Sequence, residues 1–375
     1  MDVYPMHPSS TKFFKSSIIY PHGDTMKAAV YYSNSDIRTE DVEDLSVGPG
    51  EIKVKVMACG VCGSDVMEWY RIRRAGRPGG IGAFGHECTG IIAEVGSNVD
   101  PKWNVGDRVV VTHHVPCNTC NACIRGHTTA CETLQKTKFK NAYGAFAEYV
   151  VLPEINVDRG ILRLPESVSF DAGTFVEPLG CVVRGQQLAP TSDGRSVLII
   201  GAGITGLLHI QAARLNGAGF IAVSNPSPER LEIARKFGAD ATISAMEDVP
   251  GRFKELNGGV GADTVIMTAP VPVCVKQSFE AVGPGGTILF FAPTNPEIQS
   301  EINLWNLWQK EVTITHSYAA DFHNLTTALT WIRYNRVNVN DMITHVFPLR
   351  ETAEGFLLTA RHRDGSLKAI IHPQE

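Results

Sequence analysis

The sequence predicts an α/β protein in two halves: a doubly wound parallel α/β domain and a β-rich domain. Three observations predict it. Val197-Leu198-Ile199-Ile200 is continuously apolar, the mark of a strand buried on both faces of a parallel sheet. Gly201-Ala202-Gly203-Ile204-Thr205-Gly206 follows at once, then helical spacing from Leu207 to Asn216 and a second apolar run, Phe220 to Val223. Residues 26–180 instead carry short alternating runs with turn residues between them, the pattern of a β-rich partial barrel.

Composition bounds the function. At 375 residues the chain suits two domains better than one core, and 43% hydrophobic with 19% charged residues is typical of a globular enzyme. A net charge of −5 gives no support for a nucleic-acid surface. No apolar run reaches the roughly 18 residues that span a membrane, so no membrane partner is expected. The nine cysteines are clustered, which points to metal ligation in a reducing, cytoplasmic setting rather than to a disulfide framework. Residues 1–25 show no signal-peptide pattern and read as a loosely held extension.

In chain order, strands are expected at Ala28–Tyr32, Ile52–Met57, Gly90–Val95, Arg108–Thr112 and Ala147–Leu152. After the second of these stands Cys59-Gly60-Val61-Cys62-Gly63-Ser64-Asp65, where Gly60 and Gly63 permit a sharp turn. Gly85-His86-Glu87 and Glu177-Pro178-Leu179 follow. Cys62, His86 and one or both of Glu87 and Glu177 make a sulfur, nitrogen and oxygen donor set, the type that holds a catalytic zinc. Ser64 adds a hydroxyl beside that site, and Cys59 reads as core packing.

Cys117, Cys120, Cys123 and Cys131 fall within fifteen residues, inside a lobe spanning 113–133. Four thiolates at that spacing wrap one tetrahedral ion and leave no open position, so this zinc would be structural. Disulfides or a redox pair are the rival reading. In the second half, Gly201 permits the turn, Gly203 admits the pyrophosphate and Gly206 packs helix on strand, while helix N–H groups at Ile204 and Thr205 face the phosphates. The second strand ends in Ser224-Asn225, without the acid that usually binds an NAD ribose. Ser224, Asn225, Ser227 and Arg230 can donate to a phosphate, which favours NADP; Asn225 keeps NAD open, and Arg230 also reads as a plain helix-surface residue. Thr268 and Ala292 end two further parallel strands and should line the nicotinamide cleft. The tail from Ile343 returns to short-strand character, so the β-rich domain is discontinuous.

These motifs, in this order, resemble the zinc-dependent medium-chain dehydrogenases, and Glu177-Pro178-Leu179 makes the chain most similar to their sorbitol and threonine dehydrogenase branch. The resemblance implies a GroES-like catalytic domain from 26–180 and 320–375, a Rossmann domain from 181–319, and a homodimer or homotetramer. It makes Cys62, His86, Glu87 and Glu177 the catalytic-zinc sphere, with either glutamate bound directly or through water. Ser64 would pass the substrate's proton, and Asp65 would orient a ligand.

Two features depart from that pattern. Met67 stands where a proton-relaying histidine is common, so the relay must run through water, ribose hydroxyls or a residue such as Glu68. Arg71, Arg73, Arg74 and Arg77 follow the metal turn, either as a solvated or subunit-contact face or as recognition of an anionic substrate. The implied reaction is reversible NAD(P)-linked oxidation of a secondary alcohol, such as a polyol or sugar derivative, to a ketone. A zinc-assisted epimerase or lyase with tightly held cofactor, and a non-catalytic NADP(H)-binding relative, are the alternatives.

Overall fold

The structure, a computed structural model, describes residues 25–75, 84–141, 143–297, 299–361 and 365–375, the side chains of 72–75 excepted. The extension before Thr25 and Arg77 lie outside the described residues, as do the side chains of Arg73 and Arg74.

Six strands form a parallel sheet in the spatial order Ala241–Ser244, Phe220–Asn225, Ser196–Ile200, Ala262–Met267, Val282–Phe290 and Thr313–His316. Numbered within the sheet, that order is 3-2-1-4-5-6, which puts a topological switch point beside Ser196–Ile200. Every residue of Ser196–Ile200 is buried, as its unbroken apolar run requires. Helices Ile204–Asn216 and Val176–Leu188 cover one face through Leu207, Ile210, Leu179 and Val182. Helix Phe322–Arg333 packs in the same layer through Leu325, Ala328 and Leu329, beyond the boundary at 319/320 that the sequence suggests.

The other half is a seven-stranded sheet, mostly antiparallel, centred on Ile52–Gly60 and Glu87–Val95. Its alternating strands put Ile52, Val54 and Val56 into a core with Phe84, Phe146 and Phe356. The C-terminal strand Lys368–His372 pairs with Ile52–Gly60, setting Ile370 opposite Gly60 and Ile371 opposite Cys59. Residues separated by some three hundred positions therefore meet at the end of the strand that delivers Cys62. Thr25–Ser33 and Asp36–Glu43 make a separate antiparallel pair.

Candidate active site

The strand Ile52–Gly60 ends without a left-handed residue: neither Gly60 nor Gly63 has positive φ. Glycine is needed at position 60 for space, because a Cβ there would overlap the Glu87 carboxylate and the Lys368 side chain. Cys62 then caps the single helical turn Gly63–Val66. Asp65, fully buried, holds this turn: its carboxylate accepts the Cys62 N–H at 3.0 Å and the Gly85 N–H at 3.4 Å. The same carboxylate lies 3.6 Å from His86 Nδ1 and 3.3 Å from Arg71 Nη1. Gly85 has φ +66° and lies so close to Phe146 that no side chain fits. His86 is thereby fixed at the start of the strand Glu87–Val95.

The ligand atoms of Cys62, His86 and Glu87 lie within 4.8 Å of one another. A thiol, an imidazole and a carboxylate at that separation fit a divalent zinc. Burial works against charge on His86, but Asp65, Cys62 and Glu177 outweigh it and hold the ring well above its ordinary pKa. A cation arriving here displaces that proton. Glu87 is buried against Lys368 and forms an ion pair with it, while Glu177 stands on the cavity side, in the first turn of helix Val176–Leu188. Burial raises the Glu177 pKa; His86 opposes this and Glu87 adds to it. Cys181, one turn on, donates to Glu177 Oε1 at 3.5 Å.

Cys62, Ser64, His86 and Glu177 open on a cavity of about 780 Å³, and Thr205, Ala292 and Pro293 line the same cavity. The glycine turn is built as its residue types require. Gly201 has φ +112°, and a Cβ on Gly206 would strike the Gly201 carbonyl. Nothing lies within 4 Å of where a Gly203 Cβ would be, leaving the backbone open at the start of helix Ile204–Asn216. That cradle fits a pyrophosphate.

Other predicted cofactor residues stand behind the turn. The Ser224 side chain is buried, and its carbonyl accepts the Gly201 N–H at 2.8 Å. The Thr268 hydroxyl donates to the carbonyls of Ile200 and Gly201, at 3.0 and 3.3 Å, and so braces the turn from below. Asn225 ends its strand and accepts the Ser227 N–H at 2.9 Å. Arg230 is no plain surface residue: it donates to the carbonyls of Ala202 at 3.3 Å and Ser366 at 2.6 Å.

Sequence reasoning missed three contributors. Lys368 begins an apolar strand and gave no signal of a partner in Glu87. His113 and His114 follow the strand Arg108–Val111 and line the cavity, with the His113 ring 5.0 Å from His86 and 3.7 Å from His114. The adjacent histidine pair was the available signal. Glu68, suggested as a proton relay, is exposed and does not line this cavity. Cys59 is core, paired in register with buried Cys88.

The lobe brings all four predicted sulfurs together. Cys120 and Cys123 are 3.6 Å apart, as are Cys117 and Cys131. Zinc–sulfur bonds of about 2.3 Å in a tetrahedron put sulfurs roughly 3.8 Å apart, so the set fits one ion. Contacts with Thr119 and the Cys120 N–H lower the Cys117 thiol to about 5, while burial pushes Cys123 up to about 12. Four thiolates this close need a cation. All nine cysteines are free, against the disulfide reading.

Comparison with known proteins agrees with this geometry. The family described as "Alcohol dehydrogenase GroES-like domain" matches residues 48–165, and "Zinc-binding dehydrogenase" matches residues 205–333. L-threonine 3-dehydrogenase of Pyrococcus horikoshii is 34% identical over 80% of this chain and 85% of its own. The chain belongs to the zinc-dependent medium-chain dehydrogenases. Sorbitol dehydrogenase of Bacillus subtilis is 29% identical over 93% of this chain and 97% of its own. A zinc-binding dehydrogenase of Sinorhizobium meliloti, solved with NADP, superposes with a TM-score of 0.82 at 28% identity, covering 93% of this chain and all of that one. This dehydrogenase therefore has the GroES-like and Rossmann halves that its motifs imply, and it is a zinc-containing, NAD(P)-dependent alcohol dehydrogenase of the sorbitol and threonine dehydrogenase branch.

Proposed function

We propose that the enzyme reversibly oxidises a secondary alcohol of the polyol or sugar-derivative class to a ketone, with Cys62, His86, Glu87, Glu177 and Ser64 as its reactive centre. One observation carries this reading: Cys62 and His86 of the three-donor cluster, Glu177, and Thr205 at the start of the glycine-turn helix open on one cavity. Zinc, when bound, supplies Lewis acidity that stabilises an alkoxide, and the nicotinamide supplies a hydride acceptor.

The chain's own residues do the rest. Cys62 and His86 would hold the metal from the cavity wall, with Glu87 as third donor anchored by Lys368. Asp65 fixes the imidazole through its contact with Nδ1. Ser64 would take the substrate's hydroxyl proton and release its own. His113 and His114, which line the same cavity, are titratable groups that can carry it outward. Phe290, Phe291 and Pro293 give the cavity an apolar lining, which limits water around the reacting groups.

For the cofactor we favour NADP. No acid ends the strand Phe220–Asn225, and the Arg230 guanidinium sits on the Ala202 carbonyl, inside the turn. We further propose a domain division near 180 and 333, a homodimer or homotetramer, and a cytoplasmic setting. Among the described residues no helix is long and apolar enough to cross a membrane.

The test is a substrate panel run separately with NAD⁺ and NADP⁺, beside Cys62→Ser and His86→Ala. Both variants should lose turnover and still bind cofactor, measured by fluorescence. Full turnover after complete metal removal would overturn the reading. Nucleotide that copurifies and never exchanges would favour an epimerase or lyase instead.

A further inference from the structure

His113 and His114, just past the strand Arg108–Val111, belong to a row of rings. The His113 ring lies 5.0 Å from that of His86 and 3.7 Å from that of His114, which lies 5.9 Å from Tyr318. All four residues line the cavity that Cys62, Ser64 and Glu177 also line. His113 is buried, but His114 and Tyr318 are half-buried, so part of each keeps an accessible surface. A metal donor and an accessible aromatic surface are therefore contiguous.

The Rossmann half adds rings to the same cavity. Phe290 ends a parallel strand and stacks with His316 at 5.4 Å and 22°, and Phe279 lies 5.9 Å from Phe290. Paired polar groups of the kind that grip neighbouring hydroxyls are scarce by comparison. Among the described lining residues there is no Asp, Asn, Gln or Lys. Arg71 turns its guanidinium to Asp65 and to the core rings of Tyr31 and Phe84, and Glu177 accepts from Cys181. What remains is single hydroxyls and ring nitrogens. A polyol seated here would exchange water for few partners, and each buried hydroxyl without one is unfavourable. A flat ring avoids that cost and gains contact with aromatic groups.

We propose that the alcohols this enzyme prefers carry an aromatic ring on or next to the reacting carbon, and that His114 and Tyr318 receive that ring. The 5.0 Å between His86 and His113 is short enough for a ring attached to a carbon beside His86 to reach the row. This rests on the alcohol dehydrogenase reading and narrows it from open polyols to ring-bearing diols or sugar derivatives. Proton transfer through His114 uses its ring nitrogens and the contact uses its face, so one residue serves both. The rival is that these rings only shape the metal site.

Matched substrates separate the two. 1-Phenyl-1,2-ethanediol is compared with 1-cyclohexyl-1,2-ethanediol, 1,2-propanediol and sorbitol, with NAD⁺ and with NADP⁺. In wild type the phenyl compound should exceed 1,2-propanediol and sorbitol in kcat/KM by about tenfold or more, from ring burial and aromatic contact together. It should exceed the cyclohexyl compound by about threefold or more, since that pair differs in aromaticity and hardly in size. His114→Leu and Tyr318→Leu should each lower the phenyl-to-cyclohexyl ratio toward one, and His114→Phe and Tyr318→Phe should keep it. The ratio is the readout because any loss of proton transfer at His114 slows both substrates alike.

A cyclohexyl compound used as well as the phenyl one would overturn the proposal, and so would a ratio that His114→Leu and Tyr318→Leu leave unchanged. A wild type that prefers sorbitol or 1,2-propanediol would also overturn it, while alcohol oxidation itself would stand. Absence of turnover with every alcohol and both cofactors would instead remove the parent reading, and this proposal with it. If the variants do not fold, inhibition of wild type decides. 2-Phenyl-2-propanol and tert-butanol have no carbinol hydrogen to lose, so they bind without reacting. The phenyl compound should compete with the alcohol substrate and inhibit about tenfold or more tightly than tert-butanol; equal inhibition overturns the proposal.

Discussion

Lys368 and Glu87 form a buried ion pair directly behind Cys62, and the same ammonium donates to the Val61 carbonyl at 3.2 Å. Their side chains are 2% and 1% exposed. The pair brings the last strand of the chain to the metal turn, and Gly60 has no side chain so that it fits. Burial works to lower the Lys368 pKa, but Glu87, then Cys62 and Glu177, hold it above its ordinary value. Breaking a buried pair from one side leaves an uncompensated charge, which costs about 3–5 kcal/mol. Lys368→Ala should therefore destabilise the protein by that order, read by chemical denaturation. Lys368→Met combined with Glu87→Gln should be markedly less damaging to stability than Lys368→Met alone.

The two glutamates should separate in their effects. Glu87 lies within ligand distance of Cys62 and His86 and is held from behind, whereas Glu177 faces the cavity and accepts from Cys181. Glu87→Gln removes a charged donor and also frees Lys368, so it should lose the catalytic zinc. Glu177→Gln should keep about two zincs per chain and lose most of kcat. Elemental analysis beside kinetics checks this; the reverse pattern would make Glu177 the tighter ligand.

How far these relationships are legible in the sequence depends on how local they are. Cys62, His86 and the glycine turn announce themselves because each sits at a strand end, where a reactive side chain or an open backbone has a use. Cys117, Cys120, Cys123 and Cys131 are local in the same way. Lys368 is not: it opens an apolar strand, and only the pairing of Ile371 with Cys59 reveals its role. Arg230 is hidden similarly, since helical spacing shows the helix it belongs to but not the approach of Ser366. Gly60 misleads outright, because a turn and a steric gap ask for the same residue.

The cysteine lobe should act at a distance. Tyr318 packs against Cys123, Cys131 and Leu134, and the Thr128 hydroxyl donates at 2.8 Å to Asp321, the cap of helix Phe322–Arg333. The lobe thus reaches the cap of helix Phe322–Arg333 and a cavity-lining residue, Tyr318, which also meets His114 at 5.9 Å. Cys123→Ser should lose one zinc per chain, lower the melting temperature and raise KM for alcohol. Unchanged melting with one zinc lost would show that the lobe is not a stabilising element.

Acid should weaken the fold partly through His209. This fully buried ring sits edge-on to Phe291 at 4.6 Å, and burial lowers its pKa to about 3. The unfolded chain takes up a proton near the ordinary value of about 6.5, while the folded one resists until about 3. Unfolding therefore binds a proton in that window. The stability is present in full above about 6.5 and falls as pH drops toward 3, by about 4–5 kcal/mol at the limit. His209→Gln should flatten the fall in denaturation midpoint between pH 7 and 4 relative to wild type. An unchanged slope would assign acid sensitivity to the metal-site groups instead.

Cofactor choice should turn on Asn225. It ends the strand Phe220–Asn225, where an acid would bond the ribose 2′-hydroxyl and repel a 2′-phosphate. Its own Oδ1 accepts the Ser227 N–H at 2.9 Å, so an aspartate there keeps the turn and adds only charge. Asn225→Asp should thus shift the ratio of kcat/KM for NADP⁺ over NAD⁺ toward NAD⁺ by about tenfold or more, with little change in melting temperature. Arg230→Ala is the harder case, because that guanidinium also holds the carbonyls of Ala202 and Ser366. It should weaken both cofactors, and NADP⁺ more than NAD⁺ if a 2′-phosphate sits beside it. An equal loss for both would confine Arg230 to bracing the glycine turn and leave Asn225 to set the preference.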